Sequence, residues 1–136
     1  MGIAQKVSVL LVEDDEVTNY INKRIIETNK TTELAGIAET GREALEFLHD
    51  TIHAKGKLPD IIFLDIRMPD LNGWDFFEEY KRWDSKTHSG IFLVMLTGSV
   101  NPEDERRANH EKNINAYLSK PLSSNMLNQV LRMRQA

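Results

Sequence analysis

Residues 59–75 read PDIIFLDIRMPDLNGWD: an apolar run at 61–64, then a single acid, Asp65, then a segment rich in turn formers, Pro69, Asp70, Asn72 and Gly73. The run does not alternate with polar residues. A strand built from it would be covered on both faces, as interior strands of parallel sheets are. The segment after Asp65 then turns the chain, and Trp74, Phe77 and Tyr80 follow at helical spacing. Strand, loop and helix in that order form the unit of an α/β sheet.

The same unit repeats outward in both directions. Apolar runs stand at 7–12 (VSVLLV), 33–38 (ELAGIA), 91–96 (IFLVML) and 116–118 (AYL), and two of these are again nearly continuous. Helical stripes lie between them: Val17, Tyr20, Ile21 and Ile25; Ala44, Leu45, Leu48 and Ile52; and, last, Leu127, Val130 and Leu131. Thr40 with Glu43 three residues on, and Asn101 followed by Pro102, mark helix starts. Five strands alternating with five helices predict an open, doubly wound α/β sheet. The fourth helix, over 102–113, has Ala108 as its one clearly apolar residue, so its packing face is narrow and its local opening inexpensive.

At 136 residues, with 40% hydrophobic and 28% charged residues, the chain is expected to form one domain over 1–136, with no second domain and no output domain. Its longest apolar runs are about six residues, far short of the roughly 20 that cross a bilayer, so no membrane insertion is expected. Cysteine is absent, which excludes disulfides, thiolate catalysis and Cys-ligated zinc and fits a reducing cytoplasm. The formal net charge is −4 with Lys and Arg scattered, and Arg106 and Arg107 directly follow three acids. Direct nucleic-acid binding is disfavoured. His49, His53, His88 and His110 are dispersed and receive no chemistry.

Polar residues follow four of the strands: Glu13, Asp14 and Asp15; Asp65; Thr97, Gly98 and Ser99; and Ser119, Lys120 and Pro121. In a parallel sheet these ends share one edge, where open α/β folds place their sites. Two carboxylates about 4 Å apart repel by roughly 4 kcal/mol at an effective dielectric of 20, so such a cluster calls for positive charge. Lys120 supplies one. A hard divalent cation, Mg²⁺ or Mn²⁺, would supply the rest, since no Cys or paired His is at hand for zinc. A carboxylate beside a metal, an ammonium and a hydroxyl suits phosphoryl transfer, with Asp65 attacking to form an acyl phosphate.

Four pieces, LLVEDDEVTN, PDIIFLDIRMPDLNGWD, VMLTGS and AYLSKP, occur in an order and spacing that resembles the receiver domain of two-component response regulators, over essentially the whole chain. The resemblance implies a CheY-like, flavodoxin-like (βα)5 fold with strand order 2-1-3-4-5. It implies Asp65 as phosphoacceptor, Glu13 and Asp14 as the acidic pair at Mg²⁺, and Arg67 as donor of a backbone carbonyl to the metal. Glu13 stands where many relatives have Asp. Thr97 matches the hydroxyl that binds the phosphoryl group, Lys120 its partner lysine, and Pro121 is expected after a cis peptide bond. Tyr117 matches the aromatic switch residue, and the side chains of Arg67 and Ser99 hold positions that tune phosphoryl loss. Implied partners are a sensor histidine kinase or a histidine phosphotransfer protein, and an unnamed downstream protein contacted through the fourth helix, fifth strand and fifth helix. The chain would catalyse only its own phosphorylation and slow dephosphorylation.

Other classes fit less well. A flavin-binding relative of this fold would need a Ser, Thr and Gly-rich loop after the first strand, whereas three acids there repel phosphate. A phosphatase of haloacid-dehalogenase type normally carries a second Asp two residues after the nucleophile, where this chain has Arg67. A receiver used only for binding or dimerisation would not need the full set of site residues.

Overall fold

A computed structural model describes residues 5–68, 71–98 and 101–136 of the chain, apart from the side chain of His88. The order is β1 (Val7–Val12), α1 (Glu16–Thr28), β2 (Thr32–Ala38), α2 (Gly41–His53), β3 (Ile61–Asp65), α3 (Gly73–Tyr80), α4 (Ser85–His88), β4 (Phe92–Thr97), α5 (Pro102–His110), β5 (Ala116–Ser119) and α6 (Ser124–Gln135). All strands are parallel in the order β2-β1-β3-β4-β5. The three continuous runs are the three interior strands. The edge strand β2 alternates between buried and open positions, and β5 is half-buried, as strands lacking one neighbour should be.

Strand alternation feeds two cores. Leu10, Val12, Ile62, Leu64, Leu93 and Met95 point to one face, where α2, α3 and α5 bring Ala44, Leu48, Phe76, Phe77, Tyr80 and Ala108. Val9, Leu11, Ile61, Phe63, Val94 and Leu96 point to the other, against Ile26 of α1 and Leu127 and Val130 of α6. Each fully buried Leu, Ile or Phe contributes about 1.5–3 kcal/mol relative to exposure, so the sheet is a rigid base for what stands at its ends.

Three expectations need correction. The Ser85–His88 turn adds a sixth helix among the described residues; Asp84 caps it by accepting from the Lys86 N–H at 3.0 Å, and four residues are too few to show periodicity. The fourth predicted helix, now α5, stops at His110 rather than 113. Most of the α1 stripe is misassigned: Val17, Tyr20 and Ile21 are 66%, 63% and 48% exposed, while Ile25 is half-buried against the second core and Asn19, Asn22 and Ile26 are buried. The Asn19 amide donates to the Glu13 carbonyl at 2.8 Å, so the inward face of the helix start satisfies a buried carbonyl that would otherwise go unpaired. In α2, Ile52 likewise lies at the open margin of its stripe.

Backbone contacts hold Leu71 and Gly73 close to their neighbours ahead of α3. The Gly73 N–H donates to the Ile66 carbonyl at 2.9 Å, the Gly41 N–H to the Leu71 carbonyl at 3.1 Å, and Asn72 and Asp75 cap α3 reciprocally. A Cβ on Gly73 would stand 2.6 Å from the Asp65 carbonyl oxygen and 2.8 Å from the Ile66 Cα. Gly73→Ala is therefore expected to destabilise the fold by about 2 kcal/mol, read as a lower urea midpoint at unchanged slope. An unaltered midpoint would show that the loop is not held this closely.

Candidate functional site

The register decides what meets at the carboxyl ends of the strands. Val12 pairs with Leu64, Leu64 with Met95, and Met95 with Tyr117, so the residues just beyond them share one edge. Glu13 continues β1, its N–H donating to the Ala38 carbonyl at 2.9 Å, and Asp65 is the last residue of β3. Both are buried. Asp14 lies between them on the more open side, and one oxygen from each of the three acids falls within 4.8 Å of the others.

Lys120 enters from beyond β5. Its Nζ donates to Glu13 Oε1 at 2.6 Å and lies 3.2 Å from Asp65 Oδ1. Its backbone N–H donates to the Thr97 carbonyl at 2.7 Å, and the Lys120–Pro121 peptide is cis. Thr97 ends β4 opposite Ser119 and is buried. Tyr117 is half-buried in β5, and its hydroxyl oxygen accepts the Asn101 N–H at 3.5 Å, linking β5 to the residue that caps α5. Arg67 is exposed beyond Ile66 at the mouth. Ser99, Pro69 and Asp70 lie outside the described residues.

Three carboxylates and one ammonium leave the cluster net negative. Burial lifts Asp14 above the usual carboxylate value, and the hydrogen bond and charge of neighbouring Glu13 push the same way against Lys120. Burial alone would lower the Lys120 ammonium. The Glu13 hydrogen bond and the charges of Asp65 and Glu13 outweigh it and hold Lys120 above the ordinary lysine value, so the group stays charged. An all-oxygen donor set of three acids, one oxygen of each within 4.8 Å of the others, fits a hard divalent cation.

The sequence reading brought Glu13, Asp14, Asp65, Thr97 and Lys120 to one edge, and they stand together there. It missed the support behind them. Asp15 is the α1 cap, accepting from the Thr18 N–H at 2.9 Å, and its own N–H donates to Glu13 Oε2 at 3.0 Å. Asn19 holds the Glu13 carbonyl from the next turn. An Asn on the sheet-facing side of a helix would have been the signal, but the exposed apolar stripe beside it masked that face.

A family model described as the response regulator receiver domain matches residues 9–132. The chain is 34% identical over 117 residues to the probable methanogenesis regulatory protein FilR2 of Methanothrix harundinacea, covering 85% of this chain and 72% of that one. It is 31% identical over 113 residues to the chemotaxis protein CheY of Halobacterium salinarum, covering 83% of each. A two component response regulator from Cytophaga hutchinsonii, solved as a crystal structure, matches with a TM-score of 0.88 at 29% identity, over 97% of this chain and 98% of that one. The share of a curated relative that the chain spans runs from 14% to 85%, so related segments occur both as most of a protein and as a small part of one. With its sheet order, its acidic edge and these relatives in agreement, the chain belongs to the receiver domains of two-component response regulators and has their phosphoacceptor signalling role.

Proposed function

We propose that Asp65 is the phosphoacceptor, and that 1–136 acts as one receiver unit whose output passes through a partner protein. The observation that carries this reading is the position of Lys120, 2.6 Å from Glu13 and 3.2 Å from Asp65, above a carboxylate held on a rigid interior strand. An Asp65 oxygen attacks the phosphorus of a phosphohistidine or a small acyl phosphate. A phosphorus–oxygen bond forms, and the old bond to nitrogen or oxygen breaks with its electron pair leaving on the donor. Lys120 shifts from Glu13 toward the new phosphoryl oxygens, and the Thr97 hydroxyl donates to another. Glu13, Asp14, Asp65 and the Arg67 carbonyl would hold Mg²⁺ or Mn²⁺, which neutralises charge on the transferring group.

Phosphorylation then biases two packings. Thr97 draws inward, Tyr117 follows into the space it leaves, and the face made by α5, β5 and α6 is offered to a downstream protein. Water attack on the acyl phosphate restores Asp65, at a rate that the Arg67 and Ser99 side chains modulate. The chain catalyses no reaction but these on itself.

The donor protein has a face to meet. Val17, Tyr20 and Ile21 stand exposed on α1, directly after the acidic residues of the site, and an apolar patch beside a reactive group marks a protein contact. A phosphohistidine presented by a sensor kinase or a histidine phosphotransfer protein would reach Asp65 from there.

Incubated with Mg²⁺ and acetyl phosphate, the wild type is expected to gain one phosphoryl mass and Asp65→Asn none. Gain by both would misassign the nucleophile, and gain by neither would defeat the reading. Tyr20→Ser with Ile21→Ser should slow transfer from a phosphohistidine protein at least about tenfold while leaving loading by acetyl phosphate unchanged; equal slowing of both would remove the docking role. Asp14→Asn relieves repulsion worth about 1 kcal/mol after solvent screening. Its metal-free Tm should rise by about 3–5 °C and the further rise with Mg²⁺ should vanish. A variant that still gains stability from Mg²⁺ would place the cation elsewhere.

A further inference from the structure

Helix α5 has one buried residue, Ala108, so little apolar contact holds it against the sheet. What it has instead is a ladder of polar and aromatic contacts from α3. The Trp74 indole Nε1 donates to Asp104 Oδ1 at 3.0 Å. The Arg107 guanidinium lies 4.0 Å from the centre of the Trp74 ring, and its Nη2 is 2.8 Å from Glu78 Oε2. Lys81 Nζ is 3.1 Å from Glu111 Oε2 and 3.3 Å from Glu78 Oε1. Residues 74, 78 and 81 on one side and 104, 107 and 111 on the other each follow helical spacing, so each set occupies one face.

The composition of the ladder suits release. Arg107, Glu78 and Lys81 side chains are 44%, 37% and 32% exposed, so water can replace each ionic partner, which it cannot do for interlocked apolar groups. Trp74 is the junction of the first two rungs, and it lines an open cleft of about 440 Å³ together with Ile66, Arg67, Met68, Asn72 and Asp104, just beyond Asp65. At its N-terminal cap α5 is tied to β5, because the Asn101 N–H donates to the Tyr117 hydroxyl oxygen at 3.5 Å, and Thr97 ends the neighbouring strand β4. A change at Thr97 that moves Tyr117 would therefore act on α5 against the rungs.

We propose that the α3–α5 ladder of Trp74, Glu78, Lys81, Asp104, Arg107 and Glu111 is a latch for the resting state, sheared when Asp65 is phosphorylated, and that its strength sets how readily the domain switches. The proposal rests on the phosphoacceptor reading of Asp65. The ionic rungs at Glu78, Lys81, Arg107 and Glu111 are open to water and stand apart from the acids and Lys120 of the site, so they can be weakened without touching the chemistry.

The test uses beryllofluoride with Mg²⁺ as the phosphoryl mimic on the full chain, comparing wild type with Arg107→Gln, Glu111→Gln and the double variant. Both positions are on the surface of the fold, and Arg107→Lys, which keeps the charge but loses the planar stacking, grades the effect. Each Gln variant should bind beryllofluoride about three- to tenfold tighter than wild type, because less resting-state contact must be given up. Amides of residues 105–110 should exchange faster in bound than in free wild type, and faster in the free variants than in free wild type. Unchanged or weaker beryllofluoride affinity in the variants, or no acceleration in bound wild type, would overturn the latch. If wild type bound no beryllofluoride at all, the phosphoacceptor reading would fail; α5 exchange in the free variants would then judge the ladder separately, acceleration supporting it as the restraint on α5 and its absence overturning it.

Discussion

The ammonium of Lys120, held between Glu13 and Asp65, is the interaction on which the rest of this molecule depends. Without it, two buried carboxylates and a third at the rim would face one another across less than 5 Å, a repulsion that the surrounding fold would have to absorb. With it, the site is stable yet still short of positive charge. In the proposed function that deficit is put to use: the acidic edge would draw a cation, and Lys120 would draw an incoming phosphoryl oxygen to Asp65. The long reach of a lysine side chain suits this, since one group could serve Glu13 in one state and a phosphoryl group in the other.

Everything else serves to bring that ammonium and those acids to one place. The five parallel strands carry Glu13, Asp65, Thr97 and Lys120 to a common edge, because the register of each pair aligns their ends. Two apolar cores, one per face, make the sheet stiff; the close backbone contact at Gly73 turns the chain away from Asp65 without a side chain between. The stiff sheet and the loosely held α5 are complementary. Helix α5 buries only Ala108 and is held to α3 by contacts water can replace, so a charge added at the rigid edge meets little resistance there.

The interior strands and the cluster at their ends were legible in the sequence for one reason each. Interior strands such as residues 61–64 do not alternate, and a carboxylate after such a run, ordinary by itself, gains meaning beside the polar residues that follow the other strands. What could not be read was anything decided by side-chain competition across the chain. Val17, Tyr20 and Ile21 looked like a buried stripe, but Asn19 lies inward, where its amide donates to the Glu13 carbonyl, a partner outside its own helix. The Ser85–His88 turn is shorter than any periodicity. The α3–α5 ladder joins residues about 30 apart, Trp74 to Asp104 and Lys81 to Glu111, and each sequence alone reads as an ordinary solvated face. Glu13 and Asp14 were found by their company rather than by their identity, and Lys120 by the charge the acids required.

If the four strand ends form one phosphoryl-binding site governed by Lys120, a crystal structure of the chain with Mg²⁺ and beryllofluoride will reveal it. Beryllium is expected on an Asp65 oxygen, the cation on Asp14, Asp65 and the Arg67 carbonyl with Glu13 nearby, and Lys120 Nζ moved off Glu13 onto a fluoride, with Thr97 Oγ1 donating to another. Beryllofluoride bound at a different carboxylate, or at Asp65 with Lys120 still on Glu13, would contradict it.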